Sequence, residues 1–168
     1  MYTVDYFIRS LNLVPHVEGG YYREVYRSRA SFKRQDGTAG EVERSVATTI
    51  YFLLPGSAVS RFHRLKSDEI WFFHYGSPLI IHTIDAQGIY APRVLGLSVD
   101  EGTEPQITIP ATTLFGAEPT DNSSFSLVSC MVAPGFDFAD FEMFETKELF
   151  EICPEQRELF ARFEHGTT

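Results

Sequence analysis

The stretch "GSAVSRFHRLKSDEIWFFHYG", residues 56–76, decides the fold. It holds two runs rich in β-branched and aromatic residues, "VSRFHR" and "EIWFFHY", with a turn signal, "KSD", between them and a glycine at each end. His63 falls in the first run and Glu69 opens the second. Such a pair can serve a metal, serve acid–base chemistry, or be a strand pair with polar groups turned to water.

The same pattern continues on both sides. From residue 45 to about residue 133 short β-runs alternate with turns: "VATTIYFLL" stops at "PG", "LIIHTID" at "AQG", and "YAPRVLGL", "QITIP", "TLFGAE" and "FSLVSCMVA" follow. Regular short strands with Gly and Pro punctuation predict an all-β sandwich or barrel. In "FSLVSCMVA" both faces are apolar, which calls for a second layer or a partner subunit over the outer face.

The ends read differently. In "TVDYFIRSLNL" the residues Val4, Phe7, Ile8 and Leu11 form one apolar stripe at helical spacing, with Thr3 as N-cap and Asn12 as C-cap. The tail "TKELFEICPEQRELFARFE" carries two more stripes, Leu149, Phe150 and Cys153, then Leu159, Phe160 and Phe163, with Pro154 placed to open the second helix. Between the first helix and the β-region, "HVEGGYYREVYRS" predicts a tight glycine turn at Gly19 and Gly20 and then a strand polar on both faces. "RQDGTAG" reads as a turn.

Composition bounds the function. A chain of 168 residues suits a single domain, read here as residues 1–168, and 43% hydrophobic content is enough for a substantial core. Its 15 Phe and 8 Tyr are large rigid groups for cores and pockets. A formal net charge of −9 repels a phosphate backbone, so no nucleic-acid partner is expected. No apolar run reaches the length of a membrane span, and the first residues do not read as a signal peptide, so a cytoplasmic protein with no membrane partner is expected. Cys130 and Cys153 match no metal pattern and read as reduced thiols, at least one of them buried.

The spacing of residues 56–76 resembles the first motif of the cupin superfamily. Gly56 is followed after six residues by His63, then by Leu65, Glu69 and Gly76 in the places of a glycine, a His-x-His pair, a glutamate and a glycine. "PATTLFGA", residues 110–117, lies where the second motif is expected, with Thr112 at its glycine and Phe115 at its histidine. Together with "HVEGGYYREVYRS", "IYFLL", "LG", "EGTEPQ" and "MVAPGFDFADFE", the chain resembles single-domain cupins of the cupin-5 type from its N-terminal helix to Phe141. The resemblance implies a mainly β cupin-type double-stranded β-helix, a jelly-roll barrel, with a short N-terminal helix and C-terminal helices. It also implies a homodimer. It brings no established activity.

Metal-binding cupins use three histidines and a glutamate, because a divalent ion needs several converging ligands and an open position. Here Leu65 and Phe115 stand at two of those places and can donate no lone pair. The reading therefore assigns no metal and no cofactor. His63 and Glu69 remain as a candidate general base or acid and its orienting carboxylate, with Tyr51 as a candidate proton donor. Alternation from Glu69 sends Trp71, Phe73 and Tyr75 to the same side. Trp71, Tyr75, Phe115, Tyr22, Glu24 and Arg23 are the candidate ligand-binding residues, Arg23 as a clamp for an anionic group. Phe136, Phe138 and Phe141 are expected to clamp the barrel closed with the C-terminal helix. Three functions stay open: a metal-independent isomerase or epimerase acting on a small sugar- or nucleotide-like metabolite, a non-catalytic module binding such a ligand, and a metal-dependent cupin enzyme.

Overall fold

The computed structural model describes residues 2–37 and 40–164. Helix α1 (Val4–Leu11) starts where Thr3 Oγ1 accepts from the Tyr6 amide at 3.2 Å and stops where Asn12 turns left-handed at φ 51°. Strands β1 (Val14–Pro15), β2 (Tyr21–Arg27), β5 (Thr48–Pro55), β12 (Phe125–Ala133), β7 (Asp68–Gly76) and β10 (Gln106–Ile109) pair antiparallel in that order as one sheet. A second antiparallel sheet runs β13 (Phe141–Met143), β6 (Ser60–Leu65), β11 (Leu114–Pro119), β8 (Leu79–Ile84) and β9 (Tyr90–Leu95).

Between the sheets lies the main core, including Phe52, Leu54, Trp71, Ile81, Ile107, Phe115 and Val128. Helix α1 lays its stripe on Leu53, Phe125 and Leu127, on the other face of the first sheet. That contact supplies the layer that the two-sided apolarity of β12 demands. Helices α2 (Thr146–Ile152) and α3 (Arg157–Glu164) cover the other face of the second sheet, burying Leu149, Cys153, Leu159, Phe160 and Phe163 against Phe62, Ile84 and Leu114. Both cysteines are buried and unpaired with each other. Among the described residues no helix is long and apolar enough to cross a membrane.

One element went unread and one expectation needs correction. Strands β3 (Ser31–Gln35) and β4 (Glu41–Ser45) form a separate hairpin that the polar sequence hid, because neither strand carries an apolar face for periodicity to find. Of the turn read at "RQDGTAG", residues 38 and 39 lie outside the described residues. The phenylalanines 136, 138 and 141 do not meet the C-terminal helices. They pack on one another, with centroids 5.0, 5.9 and 6.3 Å apart, and border the internal cavity. The helices found their own apolar partner in Phe62, whose ring lies 5.2 Å from Phe160 and 4.9 Å from Phe163.

Candidate functional site

Alternation places polar residues of three strands in one hollow. On β7 Glu69 faces inward, opposite Val132 of β12; on β6 His63 and Leu65 face inward; on β2 Tyr22 and Glu24 do. The hollow has a volume of about 330 Å³ and is also lined by His16, Glu18, Arg27, Ile50 and Cys130, with Phe136, Phe138 and Phe141 beside Asp137. Phe138 is 61% exposed, so this end of the lining meets solvent.

His63 is held from two sides. Its Nδ1 lies 2.7 Å from the Arg61 carbonyl, an acceptor, so Nδ1 carries the proton and Nε2 is the reactive nitrogen. The Phe115 ring packs 4.1 Å from the imidazole centroid, and Phe141 lies on it at 5.2 Å. Nε2 stands 3.4 Å from Glu18 Oε2.

Glu18 gathers the site. Its Oε1 accepts from Ser60 Oγ at 2.9 Å, and its Oε2 sits 3.5 Å from His16 Nδ1 as well. The backbone explains how a residue so far upstream reaches β6. The Arg61 amide donates to the Glu18 carbonyl at 2.8 Å, and the turn closes through His16 and Gly20 at 3.0 Å. Gly19 stands at φ 113°, where a Cβ would come 2.1 Å from the Val59 carbonyl oxygen, so only glycine permits the approach. His16 receives the Glu18 amide on Nδ1 at 3.3 Å. Burial lowers its pKa, and the nearby His63 adds to this, so Glu18 does not keep it charged.

Glu69 is 6% exposed. Burial, reinforced by the Glu18 carboxylate, raises its pKa to about 8; the Trp71 indole and the Cys130 thiol favour the charged form and only partly offset this. Glu69 Oε2 reaches no partner at hydrogen-bonding geometry among the described residues. At neutral pH Glu69 is thus a protonated carboxyl group, in the same hollow as the His63 ring and the Glu18 side chain. Cys130 is driven well above the usual thiol range by burial and the neighbouring carboxylates, so it is a neutral wall rather than a nucleophile.

Several expected site residues lie elsewhere. Tyr51 is on the opposite face of β5, packed with Leu53 beneath α1 and carrying Arg23 over its ring at 5.8 Å. Arg23 sits between Tyr22 and Glu24 on β2, so alternation turns it outward with Tyr51. Tyr75 is also outside, against Phe7 and Phe125 at 5.9 and 6.0 Å. The reason is a bulge: Val128 pairs with Phe73 but Leu127 with Tyr75, so His74 is an extra residue that reverses the parity. Trp71 and Phe115 face inward but belong to the packed core, each 1% exposed. A second bulge in β2, between Glu24 and Tyr26, brings Arg27 back to the hollow, which simple alternation had hidden. His16 and Glu18 were missed as a pair because nothing in their local spacing connects them to β6.

The residues present do not fit a bound metal. Leu65 and Phe115 replace two donors, Glu69 holds its proton at neutral pH, and among the described residues no three His, Cys, Asp or Glu side chains converge on one point.

Comparison with known proteins places the chain. Residues 5–144 match the family model described as Cupin superfamily (DUF985), Cupin_5. The protein named Uncharacterized protein YML079W from Saccharomyces cerevisiae is 30% identical over 150 residues, covering 82% of this chain and 73% of its own. A hypothetical protein from Leishmania major superposes with TM-score 0.85 at 39% identity, covering 96% of this chain and 98% of that one. Protein SO0799 from Shewanella oneidensis gives 0.88 at 40% identity, covering 99% and 100%. Oxalate decarboxylase from Bacillus subtilis shares only the fold, with TM-score 0.55 and 12% identity over 82% of this chain and 33% of that one. On the strand order, the matching motif positions and these comparisons, the chain belongs to the Cupin_5 family of the cupin superfamily.

Proposed function

We propose that the hollow binds a small polar metabolite and isomerises it by proton transfer, without a metal. The observation that carries this reading is the pairing of opposite proton-transfer abilities in one cavity. His63 offers Nε2 beside Glu18, and Glu69 offers a carboxylic acid whose pKa lies near 8. Two groups whose surroundings give them opposite roles are the usual basis for acid–base chemistry at neutral pH.

In this reading His63 Nε2 takes the proton from the carbon next to a substrate carbonyl. The electron pair of that C–H bond becomes the C=C bond of an enediol, while the carbonyl oxygen takes the Glu69 proton. Collapse reverses the bookkeeping one carbon along: Glu69 recovers a proton from the neighbouring hydroxyl, and His63 returns its proton to the former carbonyl carbon. Atoms and electrons balance with no other reactant. The Arg61 carbonyl orients the ring through Nδ1, and Glu18, 3.4 Å from Nε2, stabilises the imidazolium that forms. Tyr22, whose ring lies 4.4 Å from that of His16, takes the place on the cavity wall that sequence reasoning gave to Tyr51.

The test is solvent-deuterium incorporation followed by NMR, with free aldoses and ketoses as probes in deuterated buffer. Wild-type protein should label the carbon next to the carbonyl. His63→Asn and Glu69→Gln should each slow labelling by about 100-fold or more, the usual weight of a general acid or base. A compound that binds and is recovered unlabelled would instead favour a binding module, and labelling unchanged in both variants would remove the assigned roles.

A further inference from the structure

The charges around the hollow select against one broad class of ligand. The carboxylates of the hollow are Glu18, Glu24 and Asp137, set against one guanidinium, Arg27, while Glu69 holds its proton at neutral pH. Arg27 is paired with Glu24, with three of its five N–H donors in use. Its Nε and Nη2 donate to the two carboxylate oxygens of Glu24 at 3.0 and 2.7 Å, and its Nη1 donates to the Phe136 carbonyl at 3.1 Å. Arg44, next to Asp137 at 3.9 Å, is held by Asp140 through Nε at 2.7 Å and Nη2 at 3.0 Å. His16 is kept neutral mainly by burial. Arg23, the anion clamp expected from the sequence, lies outside over Tyr51. A phosphate entering past Asp137 and Glu24 would therefore approach Glu18 without a free guanidinium to receive it, among the described residues. Phosphate recognition normally rests on such a bidentate donor. The volume of about 330 Å³ also sits at the low end of the range for small-molecule sites, roughly 300–1,000 Å³.

We infer that the ligand is an uncharged, unphosphorylated hydroxycarbonyl compound of monosaccharide size, and that the Glu24–Arg27 pair is the specificity element that rejects its phosphorylated and nucleotide-linked forms. The inference rests on the hollow being the substrate site proposed above and adds the charge class. Within it, the ring faces of Phe136, Phe138 and Phe141 meet the apolar C–H side of the guest, while Glu69 and Tyr22 meet its hydroxyl groups.

Calorimetry or saturation-transfer NMR at one fixed ionic strength tests it, with free hexoses, the matching hexose monophosphates and the matching nucleoside-diphosphate hexoses as probes. Wild-type protein should bind at least one free hexose about tenfold or more tighter than its monophosphate, the scale of one unfavourable charge contact in a half-buried site. Glu24→Gln releases Arg27 and should narrow or invert that ratio. A monophosphate or nucleotide-linked form that binds wild-type protein as tightly as the free hexose overturns the inference, and so does the failure of every free hexose to bind. The wild-type ratio decides even if the variant folds poorly. The outcomes separate from those of the proton-transfer reading. A phosphorylated sugar that binds better and is labelled with deuterium through His63 sinks the charge class alone. A free hexose that binds preferentially yet is never labelled sinks the catalysis alone.

Discussion

Taking the Glu69 carboxyl from water into a β-walled cavity disfavours its charged form, and the Glu18 carboxylate nearby disfavours it further. The sign of the consequence is fixed. An unfolded glutamate loses its proton near pH 4.5, whereas Glu69 in the barrel keeps it to about pH 8. Folding therefore takes up a proton in that window, and the stability present below pH 4.5 declines as pH rises toward 8. The slope is roughly 1.4 kcal/mol per pH unit, which sums to a few kcal/mol. Glu69→Gln removes the titration. Urea unfolding should show the variant gaining on the wild type between pH 5 and pH 8, and a difference independent of pH would contradict the assignment. At this scale the sequence was informative where spacing alone decides. His63 and Glu69 were legible from their distance to Gly56 and Gly76. Glu18 was not, because its place beside His63 depends on a long-range backbone bond to Arg61.

Strands and turns explain the remaining differences. Alternation predicts the facing of a strand only as long as the strand is regular. The extra residue His74 in β7 sends Tyr75 outward to Phe7 and Phe125, and the irregularity in β2 returns Arg27 to the cavity. Helix α1 was legible in full, because its stripe and both caps are local signals. The glycine turn was legible as a close approach but not as the device that delivers Glu18. Its energetic weight can be measured. Gly19→Ala places a methyl group against the Val59 carbonyl in a backbone conformation that side chains rarely adopt. The cost should exceed about 2 kcal/mol in urea unfolding, and ligand binding should fall with it. An unchanged midpoint would mean that the turn does not hold Glu18 against β6.

In the whole molecule, the segment rimming the hollow is tied down at Asp140. Its carboxylate is buried; Arg44 binds both oxygens, Arg34 approaches to 2.9 Å and Lys66 to 4.0 Å. Burial alone would raise the Asp140 pKa, but the Arg44 hydrogen bonds and the charges of Arg34, Arg44 and Lys66 outweigh it and hold it low. That stability is present at neutral pH and is lost as pH falls through the lowered value. Asp140→Asn should cost about 3 kcal/mol at pH 7, the usual penalty for leaving a buried cation half-paired, with the gap to wild type closing in acid. Equal melting temperatures at pH 7 would show that the β3–β4 hairpin is not anchored this way. The sequence had shown the barrel and its flanking helices, whose patterns are local or regular, but not this charged anchor, which joins residues from distant parts of the chain. The account as a whole depends on the proton held inside the barrel. The most direct measurement is a ¹³C NMR titration of the Glu69 carboxyl, assigned by its loss in Glu69→Gln. An inflection near pH 8 is the result predicted here; an inflection in the range of an exposed glutamate, near pH 4.5, would contradict it.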